Sequence, residues 1–332
     1  MGGDNAPDDI VKGAVNALGM YKCEIILTGV EDEIKRVLNV MGYNEPPQGL
    51  EIINTTEVVD IEDDPATVVR QKKDSSLVVG LNLLHSGKGD AFVSAGSTGA
   101  LLSGATLIVK RIKGIRRAAL APFIPNAKTG FILIDCGANV ECTSEYLLQF
   151  AYMGSYYAQD ILSLNNPRIG LLNNGVEQNK GTPLYQEVHQ LLDKASKEGR
   201  LNFIGNVEPT DAMKGVCDVL VCDGFSGNIL LKAMEGTAKL IMSELKSAFF
   251  TNLKTKISAI MVKKHLSKIK DKMNPDAIGG TILLGISKPI VKAHGSSNAV
   301  AITAAINQAI KNAKADTATR LVENIDKMKF DR

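Results

Sequence analysis

Two distant segments of the chain share one design: Asp90-Ala-Phe-Val-Ser-Ala-Gly-Ser-Thr-Gly99 and Asp218-Val-Leu-Val-Cys-Asp-Gly-Phe-Ser-Gly227. Each runs from an acid through an apolar stretch into a Gly-x-[Ser/Thr]-Gly turn, then into an apolar helical pattern. That order predicts a buried strand whose C-terminal end turns through glycine and opens a helix. Free N–H groups and the helix dipole at such a start favour an anion. Apolar runs at 24–28, 50–53, 91–93, 131–135, 168–172, 203–204 and 219–221 mostly end in Gly, Asn, Asp or Ser, with helical patterns between them. This rhythm predicts an α/β fold with a mainly parallel sheet covered by helices. Its ligand crevice lies beyond the strand C-termini.

At 332 residues and 45% hydrophobic content, the chain can bury one large core or two lobes around a cleft. No low-complexity linker divides it, so 1–332 reads as a single unit with a central cleft. Trp is absent, aromatics are 5%, and 38 basic residues face 36 acidic ones, which supplies neither base stacking nor a global field for nucleic acid. The five cysteines form no Cys-x-x-Cys pair and read as reduced thiols of a cytoplasmic protein. His85, His189, His265 and His294 are scattered, so no metal site is expected, and the acidic run at 60–64 reads as a solvated loop. No charged and apolar leader opens the sequence, Ala6 interrupts a myristoylation pattern, and no apolar stretch approaches the roughly 18 residues of a membrane span.

Residues 44–49 and 121–126 read as loops. Residues 240–273 differ in character: Leu245, Phe249, Leu253, Ile257 and Met261 recur every four positions among many lysines. This basic amphipathic helical projection suits an anionic membrane, a partner protein or a dimer mate, through Lys254, Lys256, Lys263, Lys264, Lys268 and Lys270.

The strand ends supply the candidate site. The first turn offers Ser94, Gly96, Ser97, Thr98 and Gly99; the second offers Asp223, Ser226, Gly227 and Asn228. Neither carries the Gly-Lys-[Ser/Thr] of a P-loop, and no acid about 20 residues beyond Gly99 is placed to hold a ribose. A third loop, Asn173-Asn-Gly-Val-Glu-Gln-Asn-Lys-Gly181, can project Lys180 into the crevice, and Asp135-Cys-Gly-Ala-Asn139 and His294-Gly-Ser-Ser297 are further polar strand-end loops.

In order along the chain, Met1-Gly-Gly-Asp-Asn-Ala-Pro7, Ser94-Ala-Gly-Ser-Thr-Gly-Ala100, Asp135-Cys-Gly-Ala-Asn139, Gly170-Leu-Leu-Asn-Asn174 with Lys180-Gly181, Gly205-Asn-Val-Glu208, Cys222-Asp-Gly-Phe-Ser-Gly-Asn228 and His294-Gly-Ser-Ser297 carry a resemblance. The chain resembles the bacterial phosphate acyltransferase family of phospholipid synthesis, PlsX. The resemblance implies transfer of a fatty acyl group from acyl carrier protein, an acidic partner, to inorganic phosphate without a cofactor. It also implies a fold similar to isopropylmalate and isocitrate dehydrogenases and to phosphotransacetylase, a homodimer, and a membrane-bound glycerol-3-phosphate acyltransferase as product acceptor. A cytoplasmic, peripherally membrane-associated location follows.

Cys136 and Glu141 stand where an aliphatic residue and Asp are commoner in the family, and Ile278-Gly-Gly-Thr replaces a Tyr-Gly-Gly-Ala-like segment. Family members carry a short strand before Met-Gly-Gly-Asp, so here that strand is expected to be missing or the start cut. Within this reading Ser94, Ser97 and Thr98 hold phosphate, Lys180 balances charge, and Asn228 donates to the thioester oxyanion. Asp223 is expected to orient Lys180 or Asn228, while Asp4, Asn5, Asn139, Asn173 and His294 complete the polar wall. The rival readings are an NAD- and metal-dependent decarboxylating dehydrogenase of similar fold and a non-catalytic membrane scaffold.

Overall fold

The computed structural model describes residues 1–273 and 279–329, the side chains of 266–273 excepted. Its strands are β1 (Ile25–Gly29), β2 (Leu50–Asn54), β3 (Phe92–Ser94), β4 (Ala119–Ala121), β5 (Phe123–Ile124), β6 (Phe131–Ile134), β7 (Arg168–Leu172), β8 (Asn202–Val207), β9 (Val219–Val221), β10 (Thr281–Leu284) and β11 (Ile290–Lys292). They form three sheets, ordered β1-β2, β3-β11-β10-β4 and β5-β6-β9-β7-β8. Pairings β1–β2, β3–β11, β6–β9, β9–β7 and β7–β8 are parallel; β10–β11, β10–β4 and β5–β6 are antiparallel. The fold is thus α/β and mainly parallel, divided among sheets rather than continuous. The span 121–126, expected as a loop, contains β5, which pairs with β6 and buries Ile124. Strands β4, β10 and β11 have only three or four residues each, too few for a period-2 signal in sequence.

The helices are α1 (Asp8–Met20), α2 (Glu31–Val40), α3 (Val68–Gln71), α4 (Ser76–His85), α5 (Thr98–Gly104), α6 (Ser144–Leu162), α7 (Pro183–Lys197), α8 (Pro209–Lys214), α9 (Gly224–Phe249) and α10 (Leu253–Met273), followed by helices Ala299–Ala315 and Thr317–Glu323. Every residue of β6 and β9 is buried, as their unbroken apolar runs require. Helix α6 packs on both strands, with Leu147, Phe150, Tyr152 and Met153 inaccessible. Chain emerging from the C-terminal ends of these strands meets the first polar surroundings there. The candidate site therefore sits at those ends.

The expected basic projection at 240–273 consists of the outer half of α9 and all of α10, separated by a break at 250–252. Its apolar side chains face outward: Leu253, Ile260 and Met261 are 75%, 74% and 77% exposed. Lys254, Lys263 and Lys264 are exposed, whereas the side chains of Lys268 and Lys270 lie outside the described residues.

Strands β1 and β3 are not paired with each other, although α4 packs on both. Between them lies a cavity of about 700 Å³ that reaches from Ile25 and Phe92 to Gly96 and Ser97, covered by α1 and the helix Ala299–Ala315. The partial exposure of all three β3 residues reflects this opening.

Asp218, the acid that begins the second repeated segment, clamps neighbouring strands. Its carboxylate accepts from the Arg168 backbone N–H and Nε on Oδ2 at 2.8 and 3.0 Å, and from Nη2 on Oδ1 at 2.8 Å. Burial pushes the carboxyl pKa up, but these donors outweigh it and hold it below the ordinary value. Such a group contributes stability that is complete above its unfolded pKa of about 3.9 and is lost as pH falls through its lower folded pKa. Asp218→Asn should therefore lower stability in urea by about 2 kcal/mol at neutral pH, with the gap to wild type closing in acid.

Candidate active site

The first turn is assembled from three chain segments. Strand β11 pairs with β3 so that Lys292 stands beside Ser94, and the Ala293 N–H donates to the Ser94 carbonyl at 2.9 Å. The Asp4 N–H donates to the Gly295 carbonyl at 2.8 Å, and Asn5 Nδ2 donates to the carbonyls of Ser296 and Ser297 at 3.1 and 3.3 Å. Gly2 lies so close to the turn that a Cβ there would come within 2.7 Å of Gly96 Cα. Within the turn, Ser94 Oγ accepts from the Gly96 N–H at 3.2 Å, and Ser97 caps α5 by accepting from the Ala100 N–H at 3.4 Å. Thr98 is exposed on the first turn of α5, and Gly99 packs beneath Pro65. His294 Nδ1 accepts from the Ser296 N–H at 3.2 Å and lies 2.8 Å from its Oγ.

Lys292 is a residue that sequence reasoning missed. Its ammonium is buried and donates to the carbonyls of Ala95, at 3.4 Å, and Ala293. Burial lowers its pKa to about 8; attraction to Asp4 opposes that shift and repulsion from Lys232 adds to it. A lysine ending an otherwise apolar run, Pro289-Ile-Val-Lys292, was the available signal. It places a positive charge directly behind the first turn.

The second turn rests on Asp135, at the end of β6. This carboxylate accepts from the backbone N–H groups of Leu120, Cys136, Ala138 and Asn139 at 2.9, 2.6, 3.2 and 2.7 Å, and from Asn139 Nδ2 at 3.0 Å. Burial raises its pKa, while the donors pull it down. The same loop fixes the start of α9, because the Asn139 carbonyl accepts from the Gly224 N–H at 2.7 Å. A Cβ at Gly227 would collide with the Asp135 carbonyl oxygen, which is why the turn needs glycine there. Asn228 projects at the exposed face beside Gly137.

Several candidate residues build the site rather than line it. Asp223 accepts from the Ser226 N–H at 2.8 Å, from Ser226 Oγ at 3.0 Å and from the Tyr185 hydroxyl. Its carboxylate is thus engaged by Tyr185 and Ser226 instead of orienting Lys180 or Asn228. Tyr185, also missed, returns as an acceptor for the Asp223 N–H at 3.1 Å; burial and the Asp223 carboxylate raise its phenol pKa, keeping it protonated. Asn139 Nδ2 also holds the Ala118 carbonyl at 2.8 Å, and Asn173 Nδ2 holds that of Lys180 at 3.2 Å, so both amides serve the scaffold. Asn206 Nδ2 donates to the Glu177 carbonyl at 2.7 Å and its Oδ1 accepts from His189 Nδ1 at 2.9 Å, pinning the same loop. The Lys180 side chain is exposed at its rim.

The two halves share an electrostatic environment through α9, because the charge of Lys232 bears on both Lys292 and Cys136. Burial pushes the Cys136 thiol to about 12, and burial with nearby carboxylates raises Cys222 well above its ordinary value. Both sulfurs are therefore protonated, poor nucleophiles.

A crevice at parallel-strand ends, with two glycine turns that open helices and a buried lysine behind the first, defines an α/β protein. The chain belongs to the family described as fatty acid synthesis protein, whose pattern matches residues 1–320. It is 45% identical over 327 residues to a phosphate acyltransferase of Clostridioides difficile (strain 630), covering 98% of this chain and 93% of that protein. It is 43% identical over 330 residues to a phosphate acyltransferase of Lactococcus lactis subsp. lactis, covering 99% and 97%. In fold it is similar to a phosphotransacetylase from Streptococcus pyogenes, with TM-score 0.61 and 20% identity over 96% of this chain and 92% of the other. A 4-hydroxythreonine-4-phosphate dehydrogenase from Klebsiella pneumoniae gives 0.51 at 13% identity over 96% and 95%.

Because Lys292 carries its charge only below about 8, phosphate binding measured by calorimetry should weaken as pH rises through that value. Lys292→Met should bind phosphate roughly tenfold more weakly at pH 7 and show no such weakening. The same depressed pKa makes the buried ammonium a cost to the fold below about 8. Wild-type stability should thus gain as pH climbs from 8 toward 10.5, a gain absent in the variant.

Proposed function

We propose that this protein transfers a fatty acyl group from the thioester of acyl carrier protein to inorganic phosphate, forming acyl phosphate for phospholipid synthesis. The observation that carries the reading is 45% identity to a phosphate acyltransferase across nearly the whole chain. That family relation does not favour the dehydrogenase or scaffold readings. The chemistry is compatible with the groups present. Phosphate is substantially dianionic near neutral pH, judging from a second pKa of ~6 in its esters, so it needs positioning more than a strong base. A thiolate with a parent pKa of about 8.5 departs with little protonation.

In this reading the Ser94–Gly99 turn, backed by Lys292, holds phosphate, with Asp4, Asn5 and His294 on its wall. The Asn228 amide, exposed on the first turn of α9, faces the thioester oxygen. A phosphate oxygen forms the new bond to the carbonyl carbon, the C–S bond breaks, and the departing thiolate takes a proton from solvent. Lys180, at the rim, balances the charge that gathers between the two reactants. Direct attack agrees with thiols that are buried and protonated at Cys136 and Cys222.

No helix among the described residues is long and apolar enough to cross a membrane. The α9–α10 projection, with exposed apolar side chains beside Lys254, Lys256, Lys263 and Lys264, suits peripheral attachment to an anionic membrane, where a membrane-bound glycerol-3-phosphate acyltransferase would take the product. We assign the protein to the cytoplasm as a homodimer that attaches there.

Acyl hydroxamate trapping from acyl carrier protein thioester should give product only when phosphate is added, and Asn228→Ala should lower its rate ~10²-fold or more. Near-normal turnover of that variant would remove Asn228 from the oxyanion role. In liposome flotation, reversing Lys254, Lys256, Lys263 and Lys264 to Glu should abolish binding to anionic vesicles; undiminished binding would refute membrane attachment through α10.

A further inference from the structure

The segment between α5 and β4 gathers five cations, Lys110, Arg111, Lys113, Arg116 and Arg117, around an open cleft of about 600 Å³. Every one of these side chains belongs to an exposed residue. Among the described residues only Arg116 has an ion-pair partner, Glu145, at 2.8 Å. Arg117 lies over the Tyr146 ring at 5.5 Å, which leaves Lys110, Arg111 and Lys113 without an anion. Mutually repelling charges at this density are unfavourable unless something negative is brought to them.

The loop is held in shape from below. Ile112 and Ile115 are buried in the core, and Gln149 on α6 grips both sides of the turn. Its Oε1 accepts from the Arg116 N–H at 2.8 Å and its Nε2 donates to the Gly114 carbonyl at 3.0 Å. Ser287 fastens the start of the loop through its N–H to the Lys110 carbonyl at 3.0 Å and its Oγ to the Val109 carbonyl at 2.8 Å. The cations are therefore displayed on fixed backbone, whereas the lysines of α10 sit on a helix whose described neighbour is α9.

The cleft is also joined to the second turn. Immediately after Arg117, the Ala118 carbonyl accepts from Asn139 Nδ2 at 2.8 Å, and the Asn139 carbonyl accepts from the Gly224 N–H at 2.7 Å. One asparagine thus separates the end of the basic run from the first turn of α9, where the thioester carbonyl is placed above. Cys142 senses the charges of both Arg117 and Asp223, consistent with that proximity.

We propose that the Lys110–Arg117 loop is the docking surface for the acidic face of the acyl carrier protein, presenting its thioester arm to the α9 cradle. This rests on the functional reading above and deepens it. Charge complementarity selects the partner, and adjacency to the acyl cradle rather than the phosphate turn selects the substrate. Exposed interface charges act through encounter and salt dependence.

The test compares wild type with Arg111→Glu/Lys113→Glu, using two donors: the carrier-protein thioester and a small acyl-pantetheine thioester without the protein. Direct titration of carrier protein, in the absence of turnover, accompanies both. Carrier binding should weaken roughly tenfold or more, KM for the carrier thioester should rise in step, and wild-type binding should fall with salt toward the variant's. Activity with acyl-pantetheine should be unchanged, and Arg111→Lys/Lys113→Arg should restore carrier binding. Unaltered carrier affinity, equal loss with both donors, or loss confined to anionic vesicles would overturn the assignment. If wild type binds carrier protein at this loop yet makes no acyl phosphate from either donor, the functional reading fails while the docking surface stands.

Discussion

A single buried carboxylate organises the centre of this molecule. Asp135 leaves the last position of a wholly apolar strand and at once collects four backbone N–H groups and one side-chain amide. An ionised group with 0% exposure is tolerable only when its lone pairs are satisfied in this way. The same bonds bring β4 to β6, shape the 135–139 loop and set the carbonyl that receives the first N–H of α9. The basic loop before β4, the start of α9 and the strand ends consequently share one anchor.

From that anchor the two turns diverge in character. The first is small, rich in hydroxyls, crowded by Gly2 and backed by the Lys292 ammonium. The second is capped by a carboxylate already committed to Tyr185 and Ser226, and its Gly224 and Ser226 N–H groups are taken by the Asn139 carbonyl and that carboxylate, which leaves Asn228 facing outward. In the proposed mechanism a dianion takes the former and a polarised carbonyl the latter, because a full positive charge stabilises phosphate whereas oriented dipoles suffice for an oxyanion. The Lys180 loop closes the second side, tied to Asn173 and Asn206 through its backbone.

How much of this was legible beforehand varied with the range of the interaction responsible. The strand–turn–helix units at Ser94 and Asp223 follow from local chemistry, since apolar runs, glycines and capping residues lie within about ten positions of one another. The scaffold bonds made by Asn139, Asn173 and Asp223 were not legible in advance, because polar side chains at strand ends suit a ligand and a loop scaffold equally well. Which they serve depends on partners distant in sequence: Asn139 bonds Ala118 across 21 positions, and Tyr185 bonds Asp223 across 38. Lys292 escaped notice for the same reason: nothing nearby in sequence reveals that its ammonium lies behind Ser94, 198 positions earlier.

The sequence by itself determined the α/β class, the placement of small polar residues at strand ends, the two helix-start turns and the family. These depend on periodicity, on φ freedom at glycine and on motif order, all encoded locally. Only the tertiary structure decided which polar groups face the crevice and which hold it open, which lysine is buried, and which basic segment abuts the start of α9. Burial and charge proximity are properties of contacts between distant segments, so they come into existence only when the chain has folded.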